Sequence, residues 1–193
     1  DYDTEEAIKS YKLKLIPIPT KILHKEIFKI FTRCEKPSKV FDSWRRTDML
    51  TEIFPELHYC INIDQSQKKD RLDLYQHIMY ALDSVPLSQK NHLLIRLAAL
   101  FHDIGKPQTE TVINGERHFY NHENVGKLMA IRIMSRWGFD KELKDQVGLL
   151  VEQHLFNLTA SSSPISIRRF ITRVGPDNVH NLLDLTNLSI SQN

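Results

Sequence analysis

LLIRLAALFHDIGKP, from Leu93 to Pro107, is the stretch around which the rest of the chain is organised. Leu93, Leu94, Leu97, Ala98, Leu100, Phe101 and Ile104 recur at helical spacing, so one broad apolar face predicts a buried helix. His102 and Asp103 close that helix. Gly105 stands where the chain is expected to leave helical geometry, and Pro107 where it is expected not to resume it. An imidazole and a carboxylate carried inward on a rigid helix end are costly unless a cation pairs with them. A divalent metal ion is the natural partner for such donors.

The 193 residues, 41% of them hydrophobic, suffice for one substantial core or a core with a small helical satellite. A formal charge of +2 is too near neutral to announce nucleic-acid binding by the chain as a whole. Arg45-Arg46 and Arg168-Arg169 with Arg173 are local basic clusters, and a solvated helix face is the simplest reading of each pair. Cys34 and Cys60 lack CxxC spacing and read as ordinary thiols of a reducing compartment. With no signal-peptide pattern and no apolar run long enough to span a bilayer, a soluble, cytoplasmic protein is expected. The start at Asp1 rather than Met reads as a piece of something longer.

Upstream of the central stretch, Thr4 with Glu5-Glu6 opens a short helix. After Pro17 and Pro19 a second is predicted from Thr20 to about Arg33, with Ile22, Leu23, Ile27 and Phe31 facing inward. Ser38 is the expected cap of a third helix presenting Val40, Phe41 and Trp44, and Ile53-Phe54-Pro55 ends a fourth segment. Ile61 to Lys69 reads as a polar linker. From Asp70 the pattern changes, because histidines now lie inside apolar stripes. In DRLDLYQHIMYALD, His77 shares a side with Leu74, Ile78 and Ala81.

Downstream, Thr109 to Tyr120 alternates around Asn114-Gly115, a strong hairpin signal. Asn121 is the expected cap of a helix whose stripe runs His122, Val125, Gly126, Met129, Ala130, Ile133, Met134 and Trp137 until Gly138. Gly126 leaves room for another backbone to come close. Asp140 caps a further helix in which Leu143, Val147, Leu150, Val151 and His154 share a face. Ser163-Pro164 starts another with Ile167, Phe170, Ile171 and Val174 inside and Gly175 at its end. Pro176 starts the last, where Val179, Leu182, Leu183 and Thr186 form a line towards Ser189, and Asp184 is rotated away from it.

Four helices thus deliver His77, His102 with Asp103, His122 and His154 from their apolar sides. A single histidine of this kind is more often a hydrogen-bonded core residue than a ligand. Four at once are poorly explained in that way. Mixed imidazole and carboxylate donors suit Mn, Fe, Co, Ni or Zn, where Ca would call for a pure oxygen cage, and a donor set free of cysteine argues against a structural zinc site.

The pattern of His77, His102-Asp103 followed by Gly-Lys, and HxxxG from His122 resembles the HD superfamily of metal-dependent phosphohydrolases. LAALFHDIGKP, NGERHFYNHENVG and SIRRFITRVGPDNV are similar to the version found in bacterial CCA-adding tRNA nucleotidyltransferases and related poly(A) polymerases. TKILHKEIFKIF and MLTEIFPEL resemble the helical neck and body that precede it there. The resemblance implies an all-α fold with one small β-hairpin near 109–120, a neck/body-like segment at 1–68 and an HD domain at 69–193.

It also implies a divalent transition metal (Mn, Ni, Co, Fe or Zn, with Mg a further candidate) held by His77, His102, Asp103, His122 and His154. His102 and Asp103 are the catalytic candidates, and Lys106 and His118 the candidates to steady a substrate phosphate. Arg168, Arg169 and Arg173 are the candidates for RNA contact. Two departures from the family pattern stand out. The Gly-Ser strand and Asp-x-Asp pair of the nucleotidyltransferase head are not found, which leaves a head domain elsewhere as an expected partner. The aspartate that closes the metal site on the last helix matches Ser189, which lowers the expected metal affinity.

Two functions follow as expectations. One is a metal-dependent phosphohydrolase acting on phosphomonoesters or 2′,3′-cyclic phosphates, as at tRNA ends. The other is a non-catalytic neck, body and HD module that positions tRNA or a nucleotide for a nucleotidyltransferase head. Neither calls for a membrane.

Overall fold

The computed structural model describes residues 2–11, 18–64, 72–156, 158–159 and 161–190. Pro17, residues 65–69 of the expected linker, the division between 68 and 69, the Asp1 end and the side chain of Ser189 lie outside the described residues. The described residues form an all-α bundle with one two-stranded hairpin.

The helix at the centre, α7 (His92–Phe101), is buried at every residue from Leu94 to Phe101. A helix apolar all round must be enclosed by others. Packed against it are α2 (Thr20–Arg33), α6 (Leu74–Asp83), α9 (His122–Arg136), α10 (Lys141–Gln153) and α12 (Pro176–Ile190). The most extensive pairing in the molecule joins α9 to α10. Short helices α3 (Ser38–Arg46), α4 (Met49–Ile53) and α5 (Pro55–His58) close one side, while α1 (Tyr2–Tyr11) and α11 (Pro164–Val174) are the remaining long segments.

One core runs through both ends of the chain. Phe54 meets Trp137 edge to face at 4.9 Å and Phe101 at 6.0 Å between ring centroids, and Ile27, Phe31 and Phe41 lie in the same cluster. Arg96 is the exception within α7, a charged residue with 0% exposure. Its guanidinium donates to the main-chain carbonyls of Val85, Phe31, Cys34 and Glu35. Phe31 and Cys34 stand at the C-terminal end of α2, where unsatisfied carbonyls and the helix dipole favour a cation. Arg96 therefore ties α2 to the central helix.

Several local expectations are corrected. Ser38 does not cap its own helix; instead its N–H and hydroxyl donate to Asp83 of α6 at 3.0 and 2.7 Å. Asn121 takes a left-handed conformation and makes no side-chain cap. Asp140 and Ser163 do cap α10 and α11, accepting from Leu143 N–H and Ser166 N–H. Ile22, Ile167, Ile171 and Leu183 are exposed, because the buried line of each helix is narrower than its apolar stripe. On α11 only Phe170 and Val174 are buried, with Phe170 against Phe156 at 4.8 Å.

Past the central helix the chain behaves differently from the breaker reading. Gly105 stays in the right-handed region at φ −80°, and Pro107 lies in the first turn of a short helix, α8 (Lys106–Thr109), rather than barring one. The glycine is required for space. A Cβ there would run into the His122 carbonyl and come within 2.7 Å of Gly126 N. Gly126 does provide the close approach expected of it, with Val151, Gly105 and Phe101 around its position. The hairpin is shorter than 109–120, pairing β1 (Thr111–Ile113) with β2 (Glu116–His118) in the register Val112↔Arg117. Asn114 and Gly115, both at positive φ, form its turn.

Candidate metal centre

The crossing of α6, α7, α9 and α10 brings five expected side chains to one point. His77 comes from α6, His102 and Asp103 from the end of α7, His122 from the first turn of α9, and His154 from the end of α10. The Gly105–Gly126 contact sets how closely α9 can approach that end of α7. His102, Asp103, His122 and His154 are all buried, and His77 is half-buried.

Asp103 is the centre of the cluster. Its Oδ2 lies 3.2 Å from His102 Nε2, 3.4 Å from His77 Nε2 and 2.7 Å from Lys106 Nζ. Its Oδ1 lies 3.2 Å from His122 Nε2 and 3.6 Å from His154 Nε2. Two donor triads result, one of His77, His102 and Asp103 and one of Asp103, His122 and His154, each with its ligand atoms within 4.8 Å of one another.

The main chain fixes the tautomers. Nδ1 of His102, His122 and His154 faces the carbonyls of Ala99, Phe119 and Val151 at 2.8, 2.7 and 2.7 Å. A carbonyl only accepts, so each Nδ1 carries the proton and each Nε2 presents a lone pair. This is the outer hydrogen bond that metal-binding histidines use to set ring orientation.

The consequence is sharpest at Oδ1. Nε2 of His122 and of His154 are buried and have no hydrogen-bond partner among the described residues. Two imidazole lone pairs and a carboxylate oxygen converge there. Such a set is unfavourable unless a cation lies among them. Donors each about 2.1 Å from one ion stand about 3–3.5 Å apart, close to the 3.2 and 3.6 Å that separate the two Nε2 atoms from Oδ1. The residues therefore fit a divalent ion with nitrogen and oxygen ligands.

Burial pushes the His102 imidazole below its ordinary value, outweighing the pull of Asp103. Burial alone would raise the Asp103 carboxyl; the charge beside it, with the Lys106 ammonium on Oδ2 at 2.7 Å, outweighs burial and holds the carboxyl well below the usual carboxylate range. Neutral imidazole and anionic carboxylate are the forms that bind metal. Burial, with Asp103 nearby, pushes the Cys60 thiol up, so Cys60 is a packed thiol and not a nucleophile.

Other expected site residues are placed as follows. Lys106 is in the cluster, with its ammonium on Asp103 and 5.8 Å from the Phe119 ring centroid. His118 is not brought in; its ring stacks on Tyr120 at 5.2 Å, and the Tyr120 hydroxyl meets its Nδ1 at 3.2 Å. Arg168, Arg169 and Arg173 sit exposed on α11. None of the three has an ion pair among the described residues. Asp184 accepts from Gln89 Nε2 at 2.8 Å, at the opposite end of α7 from the cluster, so it cannot stand in for a closing aspartate.

Sequence reasoning missed Phe119, whose carbonyl orients His122 and whose ring lies under Lys106. Its place just before the first turn of α9 was the available signal. Arg96 was missed as well, although an arginine within an apolar run is itself a sign of a buried cation.

The HD domain family model matches residues 60–181. The chain is 31% identical over 105 residues to an A-adding tRNA nucleotidyltransferase of Deinococcus radiodurans, covering 53% of this chain and 24% of that protein. Over 136 residues it is 29% identical to a CC-adding tRNA nucleotidyltransferase of Thermus thermophilus, covering 66% and 30%. Over 140 residues it is 26% identical to a multifunctional CCA protein of Aromatoleum aromaticum, covering 72% and 34%. The aligned segments thus span about a quarter to a third of these curated relatives. No described helix is long and apolar enough to cross a membrane. With its His-Asp pair buried at the junction of four helices and the family model spanning well over half its length, the chain belongs to the HD domain family.

Proposed function

We propose that this chain is the HD region of a tRNA nucleotidyltransferase-like protein and acts as a metal-dependent phosphohydrolase on phosphomonoesters or 2′,3′-cyclic phosphates. The observation that carries the reading is the convergence of the His122 and His154 lone pairs on the Asp103 carboxylate in a buried site. His77, His102, Asp103, His122 and His154 would hold the metal, with Mn, Fe, Co, Ni, Zn or Mg as candidates. Such an ion supplies a water nucleophile at neutral pH and offsets charge building on a phosphate.

The chain's own groups do the rest. Asp103, anionic and held from both sides, orients the attacking water, and His102 keeps its ring fixed through Ala99. Lys106 steadies a phosphate oxygen when its ammonium turns from Asp103. His118, stacked on Tyr120, is left out of this scheme. Residues 1–68 are read as the neck/body-like segment and 69–193 as the HD domain, with nucleotide addition assigned to a head domain outside this segment.

The test is hydrolysis of 2′,3′-cyclic AMP and of tRNA ending in a 2′,3′-cyclic phosphate, with Mn, Ni, Co or Mg added. Activity that His102→Ala and Asp103→Ala abolish is expected. A chain inactive with every ion removes the proposal.

A second reading is favoured by α11. Its exposed Ile165, Arg168, Arg169, Thr172 and Arg173 line one shallow surface. A basic stripe of this kind suits the phosphates of tRNA, and a module that positions tRNA would use it whether or not the metal centre turns over.

A further inference from the structure

The two oxygens of Asp103 are in unlike surroundings. On the Oδ2 side the groups are already satisfied by protons. Lys106 Nζ donates to Oδ2 at 2.7 Å, with side-chain exposures of 16% and 4% for the lysine and the aspartate. His77 and His102 face each other through Nε2 at 3.0 Å. Because His102 Nδ1–H is committed to Ala99, His102 Nε2 is the acceptor and His77 Nε2–H the donor. A proton between two rings and an ammonium on the oxygen occupy the directions in which three ligand lone pairs would have to point. On the Oδ1 side the opposite holds. His122 Nε2 and His154 Nε2 present lone pairs without a hydrogen-bond partner among the described residues.

We propose that the two triads fill in a fixed order. The triad of His122, His154 and the Asp103 Oδ1 takes the first ion, and Lys106 closes the triad of His77, His102 and the Asp103 Oδ2 to a second. This inference rests on the metal-centre reading and adds to it an order of filling and the residue that sets it. An ammonium and a divalent ion on one carboxylate oxygen repel strongly, the more so in a site shielded from water. The Oδ2 triad therefore takes an ion only when the ammonium leaves. Lys106 has a way out, since its ammonium stands over Phe119 at the half-buried rim of the site. Once displaced, that ammonium is the one positioned to meet a substrate phosphate. The second ion and the phosphate contact are then two results of one side-chain movement.

The experiment is a calorimetric titration of the EDTA-stripped chain with Mn²⁺, with electron paramagnetic resonance to detect paired ions. Wild type is expected to bind one ion tightly and a second at least about tenfold more weakly. Lys106→Met closes that gap, and Lys106→Arg keeps it. His154→Ala loses the tight ion, and His77→Ala retains it. Circular dichroism checks folding; if Lys106→Met does not fold, the comparison of His77→Ala with His154→Ala decides by itself.

Two equal ions in wild type, a gap unchanged in folded Lys106→Met, or a tight ion that depends on His77 and not on His154 would overturn the order of filling while leaving the metal centre standing. A wild-type chain that binds no Mn²⁺ defeats the metal-centre reading and this inference together.

Discussion

Arg96 donates twice to the main-chain carbonyl of Val85, through Nε at 2.9 Å and Nη2 at 2.7 Å, inside the core and without a carboxylate partner among the described residues. Carbonyls at the end of α2 take its remaining N–H groups. Arg96→Met is expected to cost about 3–5 kcal/mol, because buried carbonyls lose their donor while the apolar stem is kept. Urea denaturation measures it. A loss below about 1 kcal/mol shows that water replaces the guanidinium.

Gly105→Ala tests the contact that seats α9 on α7. The added methyl meets backbone at His122 and Gly126, which cannot rotate aside. A destabilisation of about 1–3 kcal/mol or more is expected, with weaker metal binding because His122 moves. A thermal melt and a metal titration read the two effects. A variant that keeps wild-type stability and affinity contradicts the role given to this glycine.

Glu56 and Arg136 join α5 to α9 by two contacts of 2.8 Å. Burial would raise the Glu56 carboxyl, but Arg136 outweighs it and holds the group below its ordinary 4.5. A lowered carboxyl contributes stability that is fully present above its unfolded value and is lost as the pH falls through its folded one. The pair therefore stabilises at neutral pH and fades as the solution is acidified below about 4.5. Glu56→Gln should cost roughly 1 kcal/mol at neutral pH, discounted for the part-exposed arginine, and should flatten the acid limb of a stability–pH curve.

Metal binding to the folded state alone raises the melting temperature. At an ion concentration about a hundredfold above its dissociation constant the gain is about 2.7 kcal/mol, or roughly 5–10 °C for a chain of this size. EDTA reverses it. His122→Ala should abolish the response, and differential scanning calorimetry with and without Mn²⁺ checks both.

On α11 the change Arg168→Glu with Arg169→Glu should leave stability within about 0.5 kcal/mol, since both side chains are exposed. Binding to tRNA should weaken. If each arginine meets a phosphate, the slope of log affinity against log salt falls by about 1.5–2. Filter binding across a salt series checks it, and an unchanged slope removes α11 as the RNA surface.

The histidines were legible because helical periodicity alone places His77 within an apolar row and His102, His122 and His154 at the ends of others, and apolar rows face the core. The caps at Asp140 and Ser163 were legible for the same local reason. Ser38 and Asn121 misled because a capping residue type is only a tendency. Asp83, distant in sequence, supplied a better acceptor to Ser38. Ile167 and Ile171 misled because a stripe records which side is apolar and not how much of it a neighbour covers.

Along the chain, then, spacing and residue type were enough to mark the helices, the hairpin turn at Asn114-Gly115 and the inward-facing histidines, since each depends on residues a few positions apart; the all-α class and the gathering of the histidines came from the resemblance to HD domains. The division of that cluster between Oδ1 and Oδ2 of Asp103, the ammonium of Lys106 on one of those oxygens, the crowding at Gly105 and the carbonyls around Arg96 were decided by the tertiary structure. Each of these is a distance between segments far apart in sequence, set only when the helices pack against one another.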